Sequence, residues 1–527
     1  QHYSINTLKD SVRIWLVGFQ STPGAGLSTP TSSSYYAAGA LHKLIVTDEA
    51  GNQVIEFKNK LDQVVLKKIQ LTAAADDGTG SSTAYEGWLS TYYIYDNMGD
   101  LRCVIQPEGV VAMAHGSWTL TTTLLAEQCF RYEYDNRRRM IIKQVPGGGT
   151  VYMIYDARNR LVMTQDANMR AHNLWIGTKY DGFNRADSTW LDSLPGVSFT
   201  SMLTAAGTSE SYRVSDITAS NLLTATHYDD YTGITLPTGL SATYKSNWNS
   251  YLLAASNSSF PYPEQPAQVT ATSTPVSTQG KVTWAKVKVL GTSTSTFITT
   301  VNIYDKKGRV IQTGQTNITG GYNITTTEYS WSGEPLVSVS WESKLGTRPD
   351  TSILVTKMSY DPLWRLVKTE VKETNSRWGA KTMPASFTTL SSQEYGSLGQ
   401  LKKKYLGYRR SSATAYSTTP LESEYYEYNV RGWLLGVNRP YARDAASVDS
   451  ISTTTSAMTI SGEMFTESSM DIQSVSFPST NYFGFDLGYD KVNNNLIKGK
   501  TYLAAQYTGN ITGMVWKDAY DKKVRKY

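Results

Sequence analysis

Six Tyr-Asp pairs open one recurring pattern of turn residues: Tyr95-Asp96, Tyr134-Asp135, Tyr155-Asp156, Tyr180-Asp181, Tyr304-Asp305 and Tyr360-Asp361. Paired carboxylates are the equipment of glycoside hydrolysis, one acting as acid and the other as base or nucleophile. A catalytic pair is unique within a chain, whereas a residue that a turn requires recurs, and these recur. The other candidate chemistry fails on spacing. Gly499-Lys500-Thr501 ends like a phosphate-binding loop, but Asn494 stands where that loop needs its first glycine. Gly396-Ser397-Leu398-Gly399 has its serine one residue short of a nucleophile elbow. The histidines (His2, His42, His115, His172, His227) lie far apart with no paired metal spacing, and Cys103 and Cys129 match no zinc pattern. No catalytic, cofactor-binding or metal-ligating residue is assigned. Whether the two cysteines are bridged stays open at this stage.

Two binding chemistries deserve the same weighing. Tyr and Trp faces stack on sugar rings, and Trp88, Trp118, Trp175 and Trp331 would do so if exposed in a groove; packing against a sheet face is the plainer role. The runs Arg137-Arg138-Arg139 and Lys402-Lys403-Lys404 read as solvated strand ends or turns. With 50 Lys and Arg against 45 Asp and Glu, a net charge of +5 over 527 residues gives no reason to expect nucleic acid. No stretch approaches the run of about 18 apolar residues that a spanning helix needs. Asn257, Asn317, Asn323 and Asn510 open formal glycosylation sequons, read here as polar turns.

The elements that position these residues follow from turn chemistry. Asp suits the first position of a type I turn, where its carboxylate accepts from backbone N–H groups two residues on. Three residues later stand Gly99, Asn159, Asn184 or Gly308, the types that tolerate the left-handed conformation and close a hairpin with a bulge. Arg138 and Trp364 occupy the same place, so those two turns are expected to be strained or of another type. Degenerate copies begin at Tyr395-Gly396 and Tyr428-Asn429, with traces at Asp48, Asn59 and Tyr329. The flanks, such as Tyr152-Met153-Ile154-Tyr155, are aromatic and β-branched, and 36 Tyr with 40 Gly suit strands punctuated by turns. Gly147-Gly148-Gly149 reads as a wide hairpin turn.

The reading is therefore all-β: irregular β-hairpin repeats stacked edge to edge into a large sheet. The irregular spacing excludes a propeller. Three blocks are expected: a first repeat block over 1–192, a Ser/Thr-rich insertion over 193–280 with a short helix around Ser246–Ala255, and a second repeat block over 281–527. A second lapse runs from Tyr441 to about Thr480.

The series of turns, with "VTDEAGNQVIEFKNKLDQVVLKK" from Val46, "RMIIKQVPGGGTVYMIYDARNRLVMTQDAN" from Arg139, "VNIYDKKGRVIQT" from Val301, "YNVRGWLLGVN" from Tyr428 and "QYTGNITGMVWK" from Gln506, resembles the YD repeats of the Rhs family. More narrowly it is similar to the Rhs-like proteins of Bacteroidetes, and animal teneurins carry a related shell. The resemblance implies a spiralling, hollow β-shell around a C-terminal polypeptide of the same protein, often a toxin. It implies a secreted or cell-surface bacterial location, with secretion-system components or surface glycans as further partners. The family's core-closing Asp-Pro-x-Gly elements are missing: Asp361-Pro362 is followed by Leu363. The shell is accordingly expected to be incomplete, continuing beyond residue 527. The rival readings are a glycan-binding surface adhesin and, third, a glycoside hydrolase. On the first reading the chain is no enzyme and needs no cofactor.

Overall fold

A computed structural model of the chain describes residues 1–18, 22–48, 51–80, 84–269, 278–292, 296–377, 386–410, 416–442, 481–489, 505–520 and 524–526. They form antiparallel strands joined by turns, with only short helices, so the chain is all-β in class. By internal contacts it divides into two units, Gln1–Thr226 with Val287–Phe297, and His227–Lys286 with Ile298–Tyr527. This division does not follow the three blocks read from the sequence. Residues 199–206, placed in the irregular insertion, form a helix of the first unit, capped by the Ser198 hydroxyl and buried through Met202 and Ala206. The strand that starts at Leu222 pairs there with Ala186–Ser193.

In the first unit each strand from His42–Thr47 to Ala186–Ser193 lies antiparallel to its neighbour in the chain, and His2–Ile5 pairs with His42–Thr47. The alternation of a strand decides which side chains enter the core. Over Gln53–Lys58 every second residue is buried, and Trp88, Ser90, Tyr92 and Ile94 repeat the pattern on Trp88–Tyr95. Their apolar members join Leu66, Cys103, Ile105 and Cys129 in one core. The helix Pro107–Ala114 covers it with Val110 and Met113, its proline at the first position where a missing N–H costs nothing. Polar residues also enter the interior, Lys43 and Lys68 among them. Lys43 is buried, its ammonium between Asp10 (2.8 Å) and Asp76 (2.6 Å), which ties the N-terminal segment to the sheet.

In the second unit the strands Val310–Thr316, Tyr322–Ser330, Pro335–Lys344, Asp350–Tyr360, Leu366–Asn375, Thr388–Tyr395, Leu401–Arg410 and Tyr416–Tyr428 pair in that order. Leu434–Val437, Phe483–Gly488 and Gly513–Asp518 continue it. The short helix expected over 246–255 is a 3-10 helix at Ser246–Tyr251. Behind it Leu253 and Phe260 pack on Leu336, Val337, Val339 and Val355. Residues 443–480 of the second lapse and the Gly499-Lys500-Thr501 run lie outside the described residues. Gly147-Gly148-Gly149 makes a tight connection, not a wide one. Gly148 N–H reaches Val145 O at 3.0 Å, with Gly147 and Gly149 at φ 67° and 74°.

Candidate functional site: the repeated hairpin turn

Each Tyr-Asp pair sits where a strand enters a turn, and the backbone closes the same way each time. Asp156 N–H donates to Arg160 O (3.0 Å) and Asn159 N–H to Asp156 O (3.1 Å); the turns at Asp96, Asp135, Asp181, Asp305 and Asp361 repeat both bonds. The fourth residue takes positive φ: Gly99 81°, Asn159 64°, Asn184 64° and Gly308 75°. The strand register slips by one residue at Tyr95, Tyr155, Tyr180, Tyr304 and Tyr360, which is the bulge such a turn requires. Arg138 (φ 61°) and Trp364 (φ 60°) adopt the same conformation. Their turns are of the common type, and the left-handed backbone of a bulky residue carries the strain. The traces at Asp48, Asn59 and Tyr329 close similar turns, and so does Asn317, a position the sequence reading left out.

The carboxylate is saturated by its own turn. Asp181 Oδ1 accepts from the N–H groups of Phe183 (2.8 Å) and Arg185 (2.9 Å), and Oδ2 accepts from Arg185 Nε at 2.7 Å. Partial burial, which raises the pKa of Asp181, is outweighed by these donors, and the carboxyl sits below its ordinary value; Asp361 is shifted the same way. The equivalent Arg Nε bonds of Arg139, Arg160, Arg309 and Arg365 are also 2.7 Å. In the Asp96 turn the fifth position holds Asp100, and Arg102 supplies the cation from two residues further on, at 3.0 Å.

This arginine is the functional residue that sequence reasoning missed, although it recurs at a fixed place. It also reaches the next hairpin. Arg139 lies over Tyr155, Arg160 over Tyr180, Arg309 over Tyr329 and Arg365 over Tyr395, at 4.7–5.0 Å from each ring centroid. Arg139 Nη1 donates to Asn159 Oδ1 (2.9 Å) and Arg160 Nη1 to Asn184 Oδ1 (3.1 Å) of the following turn. The expectation that Arg137-Arg138-Arg139 is simply solvated therefore fails at Arg139, which is committed to two hairpins.

The tyrosine hydroxyl reaches back. Tyr134 donates to Leu101 O, Tyr180 to Leu161 O, Tyr329 to Val310 O, Tyr360 to Pro335 O and Tyr395 to Leu366 O, all at 2.8–3.0 Å. In each case the acceptor is the first residue of the strand that follows the preceding turn. Tyr304 and Tyr489 make the same bond to Val282 O and Leu434 O. Burial pushes the phenols of Tyr134 and Tyr360 up to about 12, so they remain donors at any physiological pH.

The other candidates are not brought together. Among the described residues no group of three His, Cys, Asp or Glu is placed to hold a metal ion. His227 stacks on Trp284 and shares its Nε2 with Asp230 (2.8 Å), so the carboxylate occupies the nitrogen a nucleophile would need. Trp88 and Trp175 are buried, Trp118 packs on Tyr85 and Trp15, and Trp331 is exposed.

No protein-family model and no curated protein matches the chain. Solved structures of Tc toxins overlap it loosely. The Photorhabdus luminescens Tc holotoxin pore with the TccC3-D651A mutation has a TM-score of 0.29 at 11% identity, covering 95% of this chain and 23% of that one. The TcdB2-TccC3-TEV and TcdB2-TccC3-Cdc42 crystal structures give 0.29 and 0.28, each at 11% identity over 100% of this chain and 25% of theirs. The chain thus spans about a quarter of their length. Overlap of this quality decides neither fold nor role, and the chain's own turns remain the informative feature.

Proposed function

We propose that this chain is a structural, non-enzymatic segment of an Rhs-like β-shell, whose job is to enclose and deliver a C-terminal polypeptide, a toxin in the family it resembles. The observation that carries this reading is that the repeated Asp, Arg and Tyr are spent on closing the turns and, in several copies, on fastening one hairpin to the next. The Asp is saturated by its own turn, the Arg spans to the next hairpin, and the Tyr reaches the previous one. Residues spent this way hold a long sheet together, and these repeated carboxylates are already engaged. A protein that must shield cargo needs this redundancy, because one hairpin alone is marginal. The secreted or surface location and the Bacteroidetes affinity rest on the sequence resemblance. No helix among the described residues is long and apolar enough to cross a membrane. Glycan binding is the weaker reading, since two of the four tryptophans that would serve it are buried and Trp118 is packed on Tyr85 and Trp15.

The test is protease protection in the parent protein expressed at full length. The C-terminal polypeptide should resist trypsin while the turns are intact and become digestible when Asp156 and Asp305 are both replaced by Ala. Digestion of that polypeptide at the rate of the free peptide would overturn the shell reading. Hydrolase activity of residues 1–527 abolished by one nonrepeated Asp, Glu or Ser would establish the enzyme instead.

A further inference from the structure

The turns of the second unit carry a feature beyond these bonds, although Lys307 Nζ of the preceding turn lies over the Trp331 ring at 5.0 Å. The hairpin tips of Ser330–Gly333, Asp361–Trp364, Gly396–Gly399 and Asn429–Gly432 each present one large apolar side chain to solvent: Trp331 (70% exposed), Leu363 (72%), Leu398 (86%) and Val430 (83%). They occupy the second or third turn position, the apex that points away from the strands. Every second connection along an antiparallel sheet lies at the same end, so these four tips share one end of the sheet. Neighbouring tips touch. The Arg365 guanidinium lies against Gly399, and the Gln400 amide against Gly432. The row extends at both ends, because Trp331 N–H donates to the carbonyl of Tyr262 (70% exposed) and Arg431 Nη1 donates to that of Tyr507 (66% exposed), each at 2.9 Å.

We propose that this row of tips is a peripheral membrane-binding edge that seats its apolar apices in the interface of an anionic bilayer. Spacing favours lipid over a folded protein partner. Consecutive tips are two strands apart, about 10 Å, with polar turn residues between them, so they do not make the contiguous apolar centre of a protein interface. A bilayer asks for no contiguous patch, because each apex dissolves singly, and Trp and Tyr prefer the headgroup region. Charge agrees. The carboxylates at this end are engaged: Asp305 and Glu264 by Arg309 and Lys307, Asp361 by Arg365, and Glu334 by the hydroxyls of Ser330 and Ser332. Lys306, in the Asp305–Gly308 turn at this same end, and Arg431, on the Asn429–Gly432 tip, have no carboxylate partner among the described residues and suit anionic headgroups.

The experiment is co-sedimentation of residues 1–527 with vesicles of phosphatidylcholine and phosphatidylglycerol in equal parts. The protein should pellet with them, and less with phosphatidylcholine alone. Combined Leu363→Ser, Leu398→Ser and Val430→Ser, all at exposed positions, should cut the vesicle-bound fraction by about tenfold or more with an unchanged circular dichroism melt. Ile318→Ser, equally exposed at the opposite end of the same strands, should leave binding intact. The proposal falls if the unmodified chain stays in the supernatant or if the triple variant pellets as well as the original. It falls too if the original pellets without vesicles and the triple variant does not, since the tips would then join copies of this chain.

Discussion

Arg160 holds Asp156 through Nε at 2.7 Å and lies over the ring of Tyr180, 5.0 Å away, one hairpin further along the chain. One guanidinium therefore closes its own turn and fastens the next. With side-chain exposures of 11% and 0%, the Arg160–Asp156 pair is screened little by water.

Removing the carboxylate should hurt more than changing the cation. Asp156→Ala deletes an acceptor of the Arg160 N–H and strands a largely buried guanidinium, an expected loss of about 3 kcal/mol. Arg160→Lys keeps the charge but loses the fork and the planar stacking, an expected loss of about 1–2 kcal/mol. Denaturant unfolding monitored by tryptophan fluorescence gives both values. No measurable loss for Arg160→Lys would show that the planar group contributes nothing beyond charge.

Asn159 separates backbone strain from side-chain bonding. Its φ of 64° suits glycine, and its Oδ1 accepts from Arg137 (3.1 Å) and Arg139 (2.9 Å). Asn159→Gly loses only the acceptor, whereas Asn159→Ala loses the acceptor and adds left-handed strain. The alanine variant should be the less stable by about 1 kcal/mol. Coincident melting of the two variants would remove the conformational argument for this turn.

The turns were legible in the sequence because Asp at the first position and Gly or Asn at the fourth are demanded by local backbone geometry, which a short window contains. Arg138 and Trp364 looked like exceptions because the same window cannot show that the bulge is imposed by the paired strands even on unsuited residues. The fifth-position arginine recurs visibly, yet its work is done on a tyrosine 15–30 residues away, as with Arg309 over Tyr329 and Arg365 over Tyr395. Lys43 was hidden for the same reason: its partners Asp10 and Asp76 are distant in the chain, so nothing nearby marks a buried lysine. The 246–260 segment has no repeat period, and its place is set by strands distant in the chain, through the apolar contacts of Leu253 and Phe260 and the bond from Leu253 N–H to Glu328.

The two cysteines should remain thiols. In the pairing of Leu101–Ile105 with Cys129–Tyr134, Cys103 faces Arg131 and Cys129 faces Ile105, so the sulfurs belong to a diagonal pair. The Cα atoms of diagonal neighbours are about 7–8 Å apart, wider than the roughly 5.5–6 Å Cα spacing that a disulfide usually takes. Both are buried. A hydrogen bond between them raises the pKa of Cys103 and lowers that of Cys129. Ellman's reagent should find no reactive thiol in the folded chain and two after denaturation without reductant. A count of zero in denaturant would reveal a bridge.

Glu328 gives the fold a pH dependence of definite sign. It is fully buried in the strand Tyr322–Ser330, where Oε2 accepts from Leu253 N–H (2.8 Å) and Oε1 from Gln265 Nε2 (2.7 Å). Burial raises its pKa to about 7, against the opposing pull of the Leu253 N–H and the Lys357 charge. The folded state thus prefers the neutral acid, while the unfolded chain ionises near the ordinary glutamate value of about 4.3. Below that value both states hold the proton, and the group's contribution to stability is at its most favourable. As pH rises, the unfolded chain releases its proton first, and stability falls until the folded carboxyl also ionises near 7, beyond which the loss is complete and constant. Glu328→Gln keeps an acceptor for Leu253 without a charge to bury. The variant should therefore show a flatter stability profile between about pH 4.5 and 7 and gain most over the original at pH 8. If the original and the variant lost stability in parallel across that window, the carboxyl would be ionised in the fold throughout and the Glu328 account would be wrong.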